Sequence, residues 1–352
     1  MTGKHKIEIA GRRIGHGEPC FIIAEAGVNH YGNLEKAHRL VDQAIAAGAS
    51  AVKFQTFRTS DLVSPSAPLA EYQRQGVKGA PSQYEMLLPL ELSPEAHREL
   101  AAHCCEKGIL FLSTPFDSSS ADFLEELGVP LFKIPSGEIT NLPFLSHVGR
   151  KGKPIILSTG MATLDEVTRA IETLKQAGSR EIVALHCVSN YPADSGDVNL
   201  RAMKTMENAL HLPIGYSDHT LGIEIALAAV ALGACVIEKH FTLDKNLPGP
   251  DHRASLDSDE LTALVSGIRR IEKSLGHGEK IPAPSEAKMA SVARRSLVAA
   301  KDIPAGTILR EDLIAIKRPG TGLSPVMISQ LVGRTVRVRI PAGTLFQWEM
   351  LV

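Results

Sequence analysis

The chain has 352 residues, of which 44% are hydrophobic and 22% charged, and its formal net charge is −1. That length calls for more than one domain around a sizeable core, and nothing in so balanced a charge points to nucleic acid or an anionic membrane as a partner. Five cysteines without a CxxC spacing, an N-terminus without an apolar signal core, and a longest uncharged apolar run of 225–237, short of the roughly 20 residues that span a bilayer, lead us to expect a soluble cytoplasmic protein with reduced thiols.

Residues 5–18 alternate apolar and polar around Ala10 and Gly11, which predicts a small hairpin. FIIAEAG (21–27) is the first buried strand and ends in Glu25. The 3.6-residue spacing of Leu34, Ala37, Leu40, Val41, Ala44 and Ile45 predicts a helix with Asn33 as its N-cap. AVKFQT (51–56) follows with Lys53 and Gln55, then a long insertion (57–92) and a helix from Pro94. ILFLSTPF (109–116) carries Thr114, PLFKIPSGEI (130–139) carries Lys133, Ser136 and Glu138, and PIILSTG (154–160) ends in Ser158. A helix is expected over 164–177, and EIVALHCVSNYP (181–192) brings Ser189 and Tyr191. The stretch 214–241 reads strand, helix, strand, with Ser217 and His219 closing its first strand and Glu238 and His240 its second.

Eight strands alternating with helices over about 270 residues predict a (β/α)8 TIM barrel. A doubly wound open sheet is the competing architecture, but AEAGVNHYGN lacks a GxGxxG turn after the first strand. Domain boundaries are expected at 1–280 for the barrel with its hairpin, 281–293 for a Pro-containing linker, and 294–352 for a small β-rich domain. In the last segment IPAGT occurs at 303–307 and again at 340–344, which predicts two pseudo-symmetric halves.

Carboxyl ends of barrel strands carry active sites. A lone serine there is commonly a helix cap and a lone histidine commonly a surface group, but here polar chemistry recurs at strand after strand. Two lysines inside apolar strands need anionic partners, because burying an unpaired ammonium costs several kcal/mol. Lysines and hydroxyls converging on one mouth suit a phosphate or carboxylate. His219 and His240, on neighbouring strand ends, are placed to share one ion.

The motifs IAEAGVNHYGN (23–33), VKFQTF (52–57), KIPSGEITN (133–141), LSTGMA (157–162), YSDHT (216–220), IEKHFTLD (237–244) and GPDH (249–252) resemble the sialic acid synthase family. The segments RRSLVAAKDIPAGTIL, KRPGTGLSP and VGRTVRVRIPAGT resemble the antifreeze-like domain that ends those synthases. The resemblance covers nearly the whole chain. It implies condensation of phosphoenolpyruvate with an N-acylated hexose, giving a nine-carbon 2-keto acid and phosphate. It implies that His219 and His240 hold a divalent cation, in the family usually Mn2+, with Mg2+ or Co2+ as alternatives. Phosphoenolpyruvate contacts would fall on Lys53, Thr114, Lys133, Ser136, Ser158, Ser189 (or its neighbour Asn190) and Ser217. Sugar contacts would fall on Gln55, Tyr191, Asp251 and Arg318, and a domain-swapped homodimer would bring the terminal domain to the partner's barrel. Glu25 and Glu138 are the acid–base candidates, with Glu138 slightly preferred for activating water, and Glu238 is either an orienting group or a catalyst.

Other readings stay open at this stage. A Schiff-base aldolase would use Lys53 or Lys133 and leave the histidines idle. Synthases of seven- or eight-carbon keto acids lack the terminal domain, and a saccharide-binding protein would not need so many strand-end groups. The acceptor is open between N-acetylmannosamine and diacetamido-trideoxyhexoses of the legionaminic or pseudaminic series; residues 186–203 look closer to the legionaminic type.

Overall fold

A computed structural model describes residues 6–77 and 79–352. Two strands, β1 (Lys6–Ile9) and β2 (Arg12–Gly15), form the antiparallel N-terminal hairpin, turning through Ala10 and Gly11 at positive φ. Eight parallel strands follow: β3 (Phe21–Gly27), β4 (Ala51–Thr56), β5 (Leu110–Pro115), β6 (Phe132–Ile134), β7 (Ile155–Ser158), β8 (Ile182–Cys187), β9 (Ile214–Asp218) and β10 (Val236–His240). Their order is β5-β4-β3-β10-β9-β8-β7-β6, so the first strand pairs with the last and the sheet curls into a nearly closed barrel, β5 and β6 lying side by side at the seam. The expected TIM-type fold is the one observed.

The period of two along a strand explains how the barrel is filled. At the amino ends, inward residues Phe21, Ile23, Ala51, Leu112, Leu131, Ile156, Val183 and Val236 form one apolar layer. The hairpin packs Ile7, Ile9 and Ile14 into the same layer and closes that end of the barrel. Two residues further along, the inward positions become Glu25, Lys53, Thr114, Lys133, Ser158 and Glu238, all buried. The chain thereby leaves a single polar mouth at the carboxyl ends. Outward positions such as Ala24, Val52, Phe54 and Ile237 pack against the helices in the main core.

The helices follow their sequence signals. Leu34–Ala47 starts where Asn33 accepts a hydrogen bond from the Lys36 amide (2.9 Å) and stops at Gly48, whose φ of 79° is cheap only for glycine. Ala37, Leu40, Val41 and Ala44 form its buried stripe. Three helices that the motif reading passed over complete the outer ring: Leu142–Gly149, Ala202–Leu210 and Ser258–Leu275. The 57–92 insertion is a series of short helices, Thr59–Leu62, Glu71–Gly76 and Gln83–Leu87. No helix of the described residues is long and apolar enough to cross a membrane.

The chain divides into two compact units, Met1–Gly276 and His277–Val352. Part of the segment expected as linker is a short helix, Ala287–Ala293, belonging to the second unit, where the Gly320 amide bonds the Ser291 carbonyl at 2.8 Å. In that unit β11 (Ser296–Ala299) pairs antiparallel with β12 (Ile314–Lys317). The repeat has a structural counterpart: Ile303 and Ile340, the first residues of the two IPAGT copies, exchange backbone hydrogen bonds of 2.8 and 2.9 Å. Gly306 bonds Val336 O as Gly343 bonds Ala299 O, the mirrored pair of one pseudo-twofold. Both glycines have φ near 80°, which the Pro-Ala-Gly turn requires.

Candidate active site

The mouth of the barrel is a cavity of about 480 Å³. Its floor is ionic. Lys53 on β4 pairs with Glu25 on β3 and lies 3.6 Å from Glu238 on β10, while Lys133 on β6 lies 3.3 Å from the other oxygen of Glu238. Hydroxyls of adjacent strands complete the set: Lys53 donates to Thr114 Oγ1 and Lys133 to Ser158 Oγ, both at 2.8 Å, and Ser217 Oγ donates to Glu238 Oε1 at 2.9 Å. Four ionisable side chains that are each at least 94% buried thus neutralise one another.

Their environments pull the two carboxyls apart. Burial pushes Glu25 up, only partly offset by Lys53. Burial also opposes ionisation of Glu238, but Lys133 and Lys53 together with the Ser217 hydrogen bond outweigh it and hold Glu238 below the usual carboxylate range. Burial lowers Lys133, whereas Glu238 and Glu25 outweigh the burial of Lys53 and raise it. One carboxyl inclined to hold a proton beside one held ionised is the arrangement that separates acid from base.

The wall carries the histidines, with ring centres 5.5 Å apart. His219 Nδ1 donates to the Val188 carbonyl at 2.7 Å, which leaves the Nε2 lone pair free. Burial lowers His219 to about 4 and takes His240 well below its ordinary value, with His219 adding to the second effect. Among the described residues, His240 Nδ1 is buried without a hydrogen-bond partner, and the nearest carboxylate to it, Asp251, is 3.9 Å away. Two neutral imidazoles, one orphaned and one with its tautomer fixed, fit a divalent cation. No set of three or more His, Cys, Asp or Glu among the described residues could hold one, so the rest of its shell would come from water or substrate.

The expected residues Gln55, Ser136, Ser189, Tyr191 and Asp251 also line the cavity. Asn190 is exposed and accepts from the Tyr191 amide, so the serine of that pair faces the mouth. Glu138 stands on the same 3-10 turn as Ser136, but its carboxylate accepts from Asn141 Nδ2 at 2.6 Å and it is not among the lining residues. Arg318 belongs to the second unit. The sequence reading missed the insertion's contribution: Leu62, Tyr72, Gln73, Gln83 and Met86 line the mouth as well. The Gly76 carbonyl accepts from the Gly249 amide (3.2 Å), and a Cβ on Gly76 would lie 2.5 Å from Gly249 O, so the insertion docks there only as glycine. Tyr72 then packs on Tyr191, whose ring lies 4.2 Å from that of His219. No periodic signal in 57–92 announces this.

Gly160, in LSTGMA, supplies a further constraint. Its amide donates to Ser136 Oγ at 2.9 Å, and a Cβ there would sit 2.2 Å from Ser189 Oγ and 2.9 Å from Cys187 Sγ. Gly160→Ala is therefore expected to lower stability by about 1–3 kcal/mol and displace both serines. Thermal melting and anion binding at the mouth measure the two effects, and a variant that keeps both at wild-type values would show that the serines are not packed as seen.

An ionic mouth at the carboxyl ends of a parallel barrel is the frame of a barrel enzyme. Comparison with known proteins narrows that class. Residues 40–280 match the NeuB family and residues 294–352 the SAF domain. The chain is 52% identical to the N,N'-diacetyllegionaminic acid synthase of Legionella pneumophila, over 94% of each chain. It is 39% identical to the human N-acetylneuraminate-9-phosphate synthase, over 97% of this chain and 95% of that one. Among solved structures, the N-acetylneuraminic acid synthetase of Leptospira borgpetersenii superposes with a TM-score of 0.71 at 38% identity, covering 81% of this chain and 95% of the other. The chain belongs to the NeuB family.

Proposed function

We propose that this protein condenses phosphoenolpyruvate with the open-chain form of a diacetamido-trideoxyhexose, giving a nine-carbon sugar acid of the legionaminic type and releasing phosphate. The observation that carries the reading is the buried Lys53–Glu25 and Lys133–Glu238 cluster, ringed by hydroxyls below two neutral histidines. The 52% identity to a diacetyllegionaminic acid synthase supports the choice of acceptor.

Lys53 and Lys133 take the phosphate and carboxylate of phosphoenolpyruvate, helped by Thr114, Ser136, Ser158, Ser189 and Ser217. A divalent cation, most readily Mn2+, held by His219 and His240 would polarise the sugar aldehyde. The lysines and hydroxyls hold C3 of phosphoenolpyruvate against the aldehyde carbon, so that a C3–C1 bond forms and C2 becomes electron-poor. Water adds at C2, one of its protons passing to Glu25 and the other leaving with phosphate as the C2 carbonyl forms, and Glu25 returns its proton to the former aldehyde oxygen, which becomes a hydroxyl. Glu25 suits this role because its pair with Lys53 keeps it ionised and ready to accept a proton, while burial raises it to about 7 so that the proton, once taken, is held. Glu138, whose carboxylate is held by Asn141 and does not line the mouth, is the alternative. Gln55, Tyr191 and Asp251 hold the sugar.

An acceptor panel with phosphoenolpyruvate and Mn2+, scored by phosphate release, tests the reading. The diacetamido-trideoxyhexose should outpace N-acetylmannosamine, chelation should abolish release, and added Mn2+ should restore it. Full turnover in metal-free protein would overturn the cation assignment, and silence with every acceptor the reaction itself.

Arg318 and the homodimer form a separate part of the proposal, supported by the family resemblance. Arg318→Ala should weaken the sugar terms by about 1.5–3 kcal/mol with unchanged melting. If the arginine serves a partner's barrel, mixing Arg318→Ala with His240→Ala subunits restores activity that neither parent shows. Exchange of subunits without recovery would place it in its own barrel or outside the chemistry.

A further inference from the structure

The motifs YSDHT and IEKHF each hold one residue that the mouth does not use, Asp218 and Lys239. Period two turns them away from the barrel interior while Ser217, His219, Glu238 and His240 point in. β9 and β10 are hydrogen-bonded neighbours, and their register sets Lys239 opposite Asp218. Each member of this pair directly precedes one of the two histidines.

Lys239 Nζ donates to Asp218 Oδ2 at 2.7 Å and to the Thr220 carbonyl at 2.5 Å, so a single ammonium grips the chain on both sides of His219. Asp218 Oδ1 in turn accepts from the Thr220 amide (2.9 Å), the Thr220 hydroxyl (2.8 Å) and the Tyr216 hydroxyl (3.3 Å). The side chains of Lys239 and Asp218 are 1% and 0% exposed, so water cannot replace a lost partner. On the other strand, the backbone beyond His240 is tied by Phe241 N to Glu25 O (3.0 Å) and by Asn29 Nδ2 to Phe241 O (2.8 Å). The His240 ring itself has no bond at Nδ1, so its place depends on the backbone that carries it.

We infer that the buried Lys239–Asp218 pair is a positioning device that sets the separation of His219 and His240 and thereby the affinity of the mouth for a divalent cation. This rests on the assignment of the two histidines as cation ligands. A pair facing away from substrate contributes nothing to binding it directly. Two imidazoles supplying only two bonds leave cation affinity strongly dependent on their spacing, because no third ligand among the described residues compensates an error.

The test titrates Mn2+ alone into the full chain and reads free ion by electron paramagnetic resonance, beside a thermal melt. Lys239→Met and the near-isosteric Asp218→Asn are compared with Leu174→Ala, a core truncation on the outer helix Leu164–Ala177. The expected result is 10- to 100-fold weaker Mn2+ binding in Lys239→Met and a smaller loss in Asp218→Asn, with wild-type affinity in folded Leu174→Ala. Should Lys239→Met fail to fold, Asp218→Asn decides, since it keeps the Oδ1 acceptor. Wild-type affinity in the folded pair variants would overturn the inference, as would an equal loss in Leu174→Ala, which would mark general loosening. A wild-type chain that binds no Mn2+ would instead remove the cation assignment on which it rests.

Discussion

His219→Ala and His240→Ala should each reduce phosphate release by on the order of a thousandfold, since on the proposed mechanism they hold the cation that polarises the aldehyde, and losing it would remove about 4 kcal/mol of transition-state stabilisation. Neither change should unfold the barrel. His219 makes one hydrogen bond, to Val188 O, worth about 1 kcal/mol, and the Nδ1 of His240 makes none. The pattern to look for is therefore a collapse of kcat with melting temperature close to wild type and Mn2+ binding lost. A variant that retains both rate and bound Mn2+ would show its histidine to be structural.

The second large effect falls on the lysines. Lys53→Ala and Lys133→Ala should raise the KM for phosphoenolpyruvate by about 10- to 150-fold, the equivalent of 1.5–3 kcal/mol for a charge-assisted contact to an anion. The sugar terms should change far less. Both variants should also lose stability: Lys53→Ala by about 3–5 kcal/mol, because it strips buried Glu25 of its counter-ion, and Lys133→Ala by less, because Glu238 keeps Lys53. Lys133→Ala leaves Glu238 with Lys53 and Ser217, whereas Lys53→Ala leaves Glu25 without a cation in contact, so the second should melt lower. Steady-state kinetics with each substrate varied in turn, beside denaturant melts, separate the two effects. Equal KM increases for both substrates would mean that the lysines act through the fold.

The inward and outward roles of neighbouring residues show where reading from sequence stops. Lys53 and Lys133 stood out because an ammonium inside an apolar strand needs a partner, and the partners are there. Which carboxylates they meet was not legible: Glu25 and Glu238 are 213 positions apart, on β3 and β10, and meet because the first and last strands close the barrel. On the sequence Glu138 is slightly preferred to Glu25 for activating water, and both follow an apolar run. It falls outside the cavity because β6 ends at Ile134 and Pro135 starts a 3-10 turn that breaks the alternation and hands its carboxylate to Asn141.

The eight strands, the barrel they form, the carboxyl-end placement of the polar groups and the symmetry of the terminal unit are all legible in the order of residues. Those are local properties: apolar runs of period two, helical stripes with their caps, and a repeated Pro-Ala-Gly turn. The folded chain alone reveals that the 57–92 insertion helps to line the mouth, that Tyr72 packs on Tyr191, and that Asp218 and Lys239 form a buried link on strands that carry the histidines. Those depend on which strand ends become neighbours and on close approaches such as that of Gly76 to Gly249, and chain closure settles both where no local period records them.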